Sequence, residues 1–344
     1  CWINFLYRVY YEMIISRTPF RVSLFGGGTD YPAWYRDNGG SVIGMTIDKY
    51  CYLSVRYLPP FFKHKHRIVW SSIELVDNID EIQHPAVRAI LKEKEFNTGL
   101  EIAYNADLPA RSGLGTSSSF SVGLINALNA LKGRMSSKKE LADEAIRIEQ
   151  DVMLEAVGSQ DQVWAAHGGF NRIGFNSDGS YEVSPLLMPN KQRKELLGSF
   201  MLFFTGFSRF SGELAERQIA NFRNKNKELN LINEFTNNAG KILQENTGVV
   251  TNLGHLMHEG WQIKRELAEG VSTPEIDEIY NAGIEAGAIG GKLLGAGGGG
   301  FMLFIVEPEK QMAVRNKLEK FIHVDFDLES DGSKIIVFDP NDVA

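Results

Sequence analysis

The sequence predicts an α+β protein with two domains. Its 344 residues, 43% of them hydrophobic, can bury a substantial core, and a chain of this length favours two units over one. From Met13 to about residue 105 the pattern favours strands, because Phe20, Val22 and Leu24 alternate with polar residues. Helical patterns dominate beyond residue 190. We therefore expect an N-terminal domain over 13–190 and a C-terminal domain over 191–344.

The elements after this opening are predicted from spacing and punctuation. Residues 118–131 place apolar side chains on one face at helical spacing, and Gly133 follows where the helix should stop. Residues 138–157 form another amphipathic pattern. For the second half the patterns predict, in order, helices over 212–245 and 249–268, a helix ending near Gly290, a strand over 301–306, a helix over 309–322 and a strand over 334–338.

Charge and cysteine content argue against several kinds of function. The net charge of -7 and the scattered basic residues give no footprint for a nucleic-acid backbone, so no nucleic-acid partner is expected. Only Cys1 and Cys51 are present, too few for a disulfide framework or a cysteine zinc site, which favours a reducing, cytoplasmic location. The apolar stretches are too short to span a bilayer, so no membrane partner is expected.

The first twelve residues do not resemble a targeting segment. They are aromatic but lack a basic start, a clean apolar run and a small-residue cleavage site. Met13 follows directly. We interpret residues 1–12 as an extension that is not native to the protein.

The segment 108–119 combines two glycines with a run of four small hydroxyl residues, 116–119, where the helix predicted at 118–131 begins. Glycine lets backbone N–H groups approach a ligand, and the first turn of a helix offers unpaired N–H donors with a positive dipole end. The segment can therefore cradle an anion. Its Ser and Thr residues could equally be N-caps of an ordinary strand-turn-helix connection.

A second glycine-rich segment, the glycine run 295–300, holds five glycines in six residues. Glycine is costly to order, so such a run indicates ligand contact or a tight chain crossing, with a plain turn as the alternative. Neither segment fits other phosphate signatures. Ala286 and Leu293 break a Walker A frame, and Ser118 stands where the dinucleotide pattern needs its third glycine.

A third segment, Gly26-Gly-Gly-Thr-Asp30, ends the first predicted strand and places one carboxylate beside bare backbone. Such a loop can approach a polyol while Asp30 accepts hydrogen bonds from its hydroxyls. An aspartate before Tyr-Pro is also ordinary turn chemistry, and the residues alone leave both interpretations open.

Taken in order, the three segments resemble the three motifs of the GHMP kinases, named for galactokinase, homoserine kinase, mevalonate kinase and phosphomevalonate kinase. The family signature is Pro, three variable residues and Gly-Leu-Gly-Ser-Ser, and here Pro109 leads to Gly113-Leu-Gly-Thr-Ser117, with Thr116 as the only departure. The resemblance extends from Met13 to the C-terminus. It implies an N-terminal domain like the second domain of ribosomal protein S5 and a ferredoxin-like C-terminal domain.

The resemblance also implies ATP and Mg²⁺ as ligands. The residues expected at the ATP phosphates are Pro109, Arg111, Ser112, Gly113, Leu114, Gly115, Thr116, Ser117 and Ser118. The end of the glycine run, Gly297, Gly298, Gly299 and Gly300, is expected to close the cleft from the other domain. Ser117 and Glu149 match the two positions that hold Mg²⁺ in the family, a hard cation that needs few protein ligands beside phosphate oxygens.

Asp161 resembles the catalytic aspartate of galactokinases and mevalonate kinases, where a general base takes the proton of the acceptor hydroxyl. Without the family it would be read as an acid stabilising a helix start. Many members carry a lysine in the first strand, and this chain has Arg21. Arginine keeps the positive charge but does not exchange a proton near neutral pH, so an electrostatic role is expected. A plain surface arginine is the alternative.

The acceptor is expected to be a sugar or sugar phosphate bound by Gly27, Gly28, Thr29 and Asp30. Galactose is disfavoured because Gly27 and Gly28 replace the Glu and His of galactokinases. The segments 17–34, 46–52 and 108–131 are most similar to bacterial D-glycero-D-manno-heptose phosphate kinases, which phosphorylate the anomeric hydroxyl of heptose 7-phosphate to form the 1,7-bisphosphate on the route to nucleotide-activated heptose. Candidate cations for the 7-phosphate are Arg111, Arg172, Arg209 and Lys292.

Two alternatives are kept open. A fucokinase-like acceptor is the nearest one, because related glycine-rich loops occur in those enzymes. A sugar-sensing relative without phosphoryl transfer is the other, and the apparent base and metal ligand argue against it.

Overall fold

The structure is a computed structural model that describes residues 13–59, 61–206, 211–222 and 224–339. The predicted extension 1–12 and the candidate cation Arg209 lie outside these ranges. Within the described ranges, no helix combines the length and the apolar character needed to cross a bilayer.

The first half of the chain alternates strands and helices. Its elements are β1 (Met13–Phe25), α1 (Pro32–Asn38), β2 (Gly40–Tyr57), β3 (His66–Val69), β4 (Ile73–Val76), a 3-10 turn (Ile79–Glu81), α2 (Pro85–Glu93), β5 (Leu100–Ala106), α3 (Thr116–Leu131), α4 (Lys138–Arg147), a π-helical turn (Ile148–Val152), α5 (Gln160–His167), β6 (Phe170–Phe175) and β7 (Tyr181–Pro185).

The second half is richer in helices, as predicted. Its elements are α6 (Asn190–Gly198), β8 (Phe200–Phe204), α7 (Ser211–Asn221), α8 (Asn226–Ile242), α9 (Val249–Lys264), α10 (Pro274–Glu285), β9 (Gly290–Leu293), β10 (Phe301–Ile305), α11 (Pro308–Lys317), β11 (Ile322–Val324) and β12 (Lys334–Asp339).

The N-terminal domain is built on an eight-stranded sheet. Its main order is β12-β1-β2-β5-β3-β4, and β6 pairs with β2 and carries β7. The 18 residues of β2 allow this branching, because its first part pairs with β6 and its last part with β5. Residues 18–25 of β1 are buried without interruption, where α3 and α5 of this domain and α8 and α9 of the other pack against the strand. The end of β1 therefore lies where the two domains meet.

The C-terminal domain contains a four-stranded antiparallel sheet in the order β11-β8-β10-β9. The central strand β10 is completely buried, and Trp261, Tyr280 and Phe304 belong to the apolar core of this domain. Along the chain, this domain has one strand, several helices, two strands, a helix and a last strand. This succession and the order of the strands in the sheet agree with the predicted ferredoxin-like domain.

The last strand corrects the predicted domain division. Residues 191–344 were expected to form one C-terminal domain, but β12 pairs antiparallel with β1, from Met13 opposite Asp339 to Arg17 opposite Lys334. The edge of β1 would otherwise expose a row of unpaired backbone groups, which β12 satisfies over its length. The end of the described chain thus belongs to the N-terminal sheet.

Two predicted helices are shorter than their apolar patterns. The pattern over 138–157 continues only to Arg147 as an α-helix, and the π-helical turn that follows contains Glu149. The pattern over 212–245 is split, because α7 ends at Asn221 and α8 begins at Asn226. Asparagine competes with helical hydrogen bonding, which favours a break in this Asn-rich stretch.

Candidate active site

The 109–118 loop leads from β5 into α3 through residues with left-handed backbone. Gly113 has φ 82° and Gly115, the N-cap of α3, has φ 71°. No side chain caps the first turn of α3, and the Thr116 Oγ1 atom accepts a hydrogen bond from the Arg111 amide at 3.1 Å, which closes the loop on itself. The loop therefore presents a helix N-terminus with open N–H donors, as the sequence predicts.

Some side chains of the 109–118 loop are buried in the core and others are exposed at the edge of the cleft. Ser112 and Leu114 are fully buried, so they offer the cleft their backbone rather than their side chains. Pro109, Arg111 and Ser117 are exposed. Of the predicted ATP-site residues, these three are the ones whose side chains stand at the rim of the loop.

The glycine run crosses the 109–118 loop at very short range. A Cβ atom added to Gly295 would lie 2.6 Å from the Gly113 Cα atom, and one added to Gly300 would lie 2.2 Å from the Ser112 carbonyl oxygen. The Phe301 amide donates to the same Ser112 oxygen at 3.2 Å. A tight chain crossing, one of the two predicted reasons for the glycine run, is thus present, and it joins the two domains at the 109–118 loop.

Arg21 and Asp161 form a two-pronged ion pair beside this crossing. The Arg21 Nε atom donates to Asp161 Oδ1 at 2.7 Å and its Nη2 atom to Oδ2 at 2.8 Å. The Arg21 Nη1 atom donates to the Gly113 carbonyl oxygen at 2.6 Å. The Arg21 side chain is 6% exposed and that of Asp161 is 24% exposed. The arginine therefore fixes the carboxylate at the start of α5 and leaves it open to the cleft.

Glu149 lies in the π-helical turn and is 1% exposed. Its Oε2 atom accepts hydrogen bonds from Ser118 Oγ at 2.9 Å and from Gln162 Nε2 at 2.5 Å, whereas its Oε1 atom has no partner among the described residues. Burial raises the pKa of Glu149 to about 7, against the opposing effect of the hydrogen bonds from Ser118 and Gln162. A buried carboxylate with one free oxygen suits a hard cation.

The structure places Ser118, and not the predicted Ser117, in contact with Glu149. Ser117 was expected beside Glu149, but its side chain is exposed, and the hydroxyl that reaches Glu149 belongs to Ser118. Neighbouring residues of a helix point about 100° apart, so the two serines cannot face the same carboxylate. The described residues contain no group of three or more His, Cys, Asp or Glu side chains able to hold a metal ion. Mg²⁺ at Glu149 would thus take most of its ligands from phosphate and water.

The raised pKa of Glu149 predicts a pH-dependent stability effect for Glu149→Gln. Burial raises the folded-state pKa of Glu149 above the ordinary value of about 4.3. The stability that this carboxyl contributes is therefore present below about pH 4.3 and is lost as the pH rises towards 7. Glutamine stays neutral, so the variant should gain up to about 3 kcal/mol in free energy of unfolding over wild type at pH 8. Urea unfolding at pH 5 and pH 8 measures this.

The exposed Glu319→Gln is the control for that measurement and should show no such pH dependence. A stability difference between Glu149→Gln and wild type that is the same at both pH values would contradict the assignment.

The 26–30 loop that follows β1 is tightly built. Gly26 and Gly28 have φ values of 88° and 112°. Thr29 is fully buried, and its Oγ1 atom lies 2.9 Å from the Gly26 carbonyl oxygen and accepts from the Ser41 amide at 3.2 Å. The Thr29 hydroxyl therefore joins the loop to the start of β2, and sugar binding by this residue stays a prediction.

Asp30 is 2% exposed at the end of this loop. Its Oδ1 atom accepts from the Gly28 amide at 2.9 Å, and its carbonyl oxygen accepts from the Ser159 amide at 2.9 Å. Burial raises the pKa of Asp30, and the nearby Asp161 carboxylate raises it further. A Cβ atom on Gly158 would lie 1.9 Å from Asp30 Oδ2. The loop is thus packed directly against the segment that carries Asp161.

Two polar residues beside Gly27 were missed by sequence reasoning. Ser23 and Gln160 are buried, and Ser23 Oγ and Gln160 Oε1 have no hydrogen-bond partner among the described residues. A Cβ atom on Gly27 would lie 3.8 Å from Ser23 Oγ and 3.9 Å from Gln160 Nε2. Buried polar atoms without partners are costly and often indicate a missing ligand or water. In the sequence, the only signal for Ser23 is its place in the alternating pattern of β1, and the only signal for Gln160 is its position next to Asp161.

The candidate cations for a substrate phosphate have other contacts. The Lys292 ammonium is buried and donates to the carbonyl oxygens of Ser23 at 3.0 Å and Leu24 at 2.9 Å, and burial lowers its pKa well below the ordinary value. The Arg172 Nη2 atom donates to Asn237 Oδ1 at 2.6 Å. Lys292 therefore fastens β9 to β1, and Arg172 fastens β6 to α8.

Sequence reasoning also missed Lys264, the last residue of α9. It is 8% exposed, and its Nζ atom donates to the Gly295 carbonyl oxygen at 2.6 Å. Burial lowers the pKa of Lys264 to about 8, and the positive charge of Arg21 adds to this effect. In the sequence it is an ordinary cation at the end of a helix, because only the fold brings it to the domain junction.

Comparisons with known proteins agree with this geometry. The model of the GHMP kinase N-terminal domain matches residues 82–169, and the model of the GHMP kinase C-terminal domain matches residues 242–323. A mevalonate kinase of Pyrococcus abyssi is 30% identical over 68% of this chain and 67% of that protein. The chain belongs to the GHMP kinase family. It is an ATP-dependent phosphotransferase with the predicted two-domain fold of that family.

Among the relatives of this GHMP kinase is the D-glycero-alpha-D-manno-heptose 7-phosphate kinase of Campylobacter jejuni, 28% identical over 90% of this chain and 94% of the relative. The L-fucokinase/L-fucose-1-P guanylyltransferase of Bacteroides fragilis is 28% identical over 89% of this chain but only 36% of that protein. A D-glycero-D-manno-heptose 1-phosphate kinase crystal structure from Bacteroides thetaiotaomicron superposes with a TM-score of 0.75 at 24% identity, covering 93% of this chain and 97% of that one. That likeness concerns the fold.

Proposed function

We propose that this GHMP kinase transfers the γ-phosphoryl group of ATP to the anomeric hydroxyl of D-glycero-D-manno-heptose 7-phosphate, giving the 1,7-bisphosphate. The position of Asp161 carries the proposal. Arg21 holds its carboxylate, and a Cβ atom on Gly115 of the 109–118 loop would lie 3.3 Å from Asp161 Oδ2. The base thus lies between the loop proposed for ATP and the 26–30 loop proposed for the sugar.

Each part of the cleft has a task in this proposal. The open N–H donors of the 109–118 loop bind the ATP phosphates. Asp161 accepts the proton of the acceptor hydroxyl as that oxygen attacks the γ-phosphorus. Glu149, with Ser118 beside it, would hold Mg²⁺, which supplies charge neutralisation at the phosphate oxygens when bound.

The acceptor proposal is supported by the 26–30 loop and by the heptose kinase relative. Gly27 is part-exposed and has only Ser23 Oγ and Gln160 Nε2 near its added Cβ atom. The unpaired Ser23 Oγ and Gln160 Oε1 atoms can therefore receive sugar hydroxyls. The heptose 7-phosphate kinase of Campylobacter jejuni covers 90% of this chain and aligns over nearly its whole length.

The test is ADP release from MgATP with four acceptors: the heptose 7-phosphate, the same heptose without phosphate, L-fucose and D-galactose. We expect kcat/KM to be at least about tenfold higher for the heptose phosphate than for the other three, since a lost charge-assisted contact costs at least this much. A preference for L-fucose would contradict the heptose proposal and would support a fucokinase-like acceptor. Thermal stabilisation by sugar and ATP without ADP release would contradict kinase activity and would support a sugar-sensing protein.

A further inference from the structure

The arginine that replaces the usual lysine of the first strand is already occupied. Each of the three nitrogens of the Arg21 guanidinium donates a hydrogen bond, two to Asp161 and one to the Gly113 carbonyl oxygen. Its side chain is 6% exposed. Arg21 is thus arranged to hold Asp161 and the 109–118 loop together, and three of its five N–H donors are used in these contacts.

A second buried cation lies at the same junction and has donors to spare. Lys264 comes from α9 of the other domain, and the hydrogen bond that the described residues provide for its Nζ atom goes to the Gly295 carbonyl oxygen. An ammonium has three N–H donors, so two are left. Lys264 also lines a cavity of about 30 Å³ together with Gly26 and Gly27, and a cavity of that size can hold one water.

These contacts place Lys264 between donor and acceptor. Gly295, its hydrogen-bond partner, crosses Gly113 of the loop proposed for the ATP phosphates. The cavity on its other side borders the loop proposed for the sugar. The group that moves from ATP to the sugar passes through this interval.

The charges around Lys264 also favour an anion. Three buried cations, Arg21, Lys264 and Lys292, lie near the two carboxylates of Asp30 and Asp161. Arg21 and Asp161 pair with each other, and Lys292 is held by two carbonyl oxygens. Lys264 keeps a charge that has no carboxylate of its own in hydrogen-bond contact among the described residues. Buried charges are stable only when paired, so this site calls for a negatively charged group.

We propose that Lys264 is a catalytic residue that binds the γ-phosphoryl group of ATP during its transfer. The bond from the γ-phosphorus to the bridging oxygen breaks, and its electron pair leaves with ADP. The acceptor oxygen forms the new bond to phosphorus and gives its proton to Asp161. Lys264 keeps its own proton and neutralises the developing charge on the phosphoryl oxygens. This role rests on ATP-dependent transfer and is independent of which sugar accepts the group.

The test compares nucleotide binding by Lys264→Met with that of wild type, using ADP and a non-hydrolysable ATP analogue in calorimetry with Mg²⁺. Methionine keeps the unbranched shape of the side chain, one atom shorter, and removes its charge. We expect the analogue to bind at least about tenfold more weakly to the variant and ADP to bind within about twofold, because only the γ-phosphate loses a charge-assisted bond. Lys264→Arg should recover part of the lost affinity. Lys241→Met, at the exposed end of α8, is the matched control and should behave as wild type.

The pH dependence of binding gives a second readout. Above about pH 8 wild type should lose affinity for the analogue as Lys264 releases its proton, and Lys264→Met should lack this change. The charged groups that face Lys264 are unchanged in the variant, so the difference isolates this residue; they are Arg21 and Asp30 around β1, Asp161 on α5 and Lys292 on β9.

Equal weakening of ADP and analogue would overturn the proposal, since it would mean that Lys264 only supports the glycine run. Unchanged binding of both would overturn it as well. Neither binding measurement uses a sugar acceptor. The role of Lys264 can therefore fail or hold independently of the proposed heptose acceptor.

Discussion

Replacement of Asp161 by asparagine is expected to lower turnover at least about a hundredfold, the usual contribution of a positioned general base. Asparagine keeps the size of the side chain but cannot accept the proton of the acceptor hydroxyl. Its amide group would also meet the Arg21 Nη2 or Nε donor that now binds a carboxylate oxygen. The measurement is steady-state ADP release at saturating ATP and sugar phosphate.

Binding of the ATP analogue separates this effect from unfolding. The 109–118 loop is held by contacts that the variant keeps, including the Arg21 amide bond to the Leu114 carbonyl oxygen at 3.0 Å. Affinity for the analogue should therefore stay within a few fold of wild type. Asp37→Asn, on the exposed side of α1, is the control for the loss of one carboxylate. Turnover within about threefold of wild type in Asp161→Asn would remove Asp161 from the mechanism.

Gly113→Ala is expected to damage stability and turnover together. Gly113 has φ 82°, and an added Cβ atom would lie 2.4 Å from the Leu294 carbonyl oxygen, a backbone atom that cannot rotate away. The left-handed backbone and the overpacking should cost about 2 to 5 kcal/mol. Because the clash pushes the glycine run away from the 109–118 loop, turnover should fall at least about tenfold, since a misplacement of about 1 Å can cost a hundredfold.

Thermal unfolding and ADP release measure the two effects of Gly113→Ala. The control is Gly174→Ala on β6, where an added Cβ atom meets nothing within 4 Å. An unchanged melting temperature for Gly113→Ala would show that the two loops separate freely, contrary to the crossing described above.

The sequence predicts the local features of this cleft well. The helix α3, its glycine-rich start and the strand β10 follow from spacing and composition, since each depends on residues that are neighbours in the chain. The family resemblance selected Arg21 and Asp161, and the structure brings them into contact although 140 positions separate them. Their catalytic roles stay predictions until the variants are measured.

The features that sequence reasoning missed depend on long-range packing. The return of β12 to the edge of β1 and the arrival of Lys264 at Gly295 are set by how the domains meet. The exchange of Ser117 for Ser118 beside Glu149 depends on the rotation of α3, which a motif does not specify. Thr29 matched a binding motif, but its hydroxyl contacts Gly26 of its own loop and Ser41 of β2.

Phosphorus NMR of a reaction with MgATP and D-glycero-D-manno-heptose 7-phosphate tests the central claim most directly. The account predicts that the γ-phosphate signal of ATP disappears while ADP and a new phosphate signal coupled to the anomeric proton appear, with the 7-phosphate signal retained. Intact ATP in the presence of folded protein, or a new phosphate on any other oxygen, would contradict it.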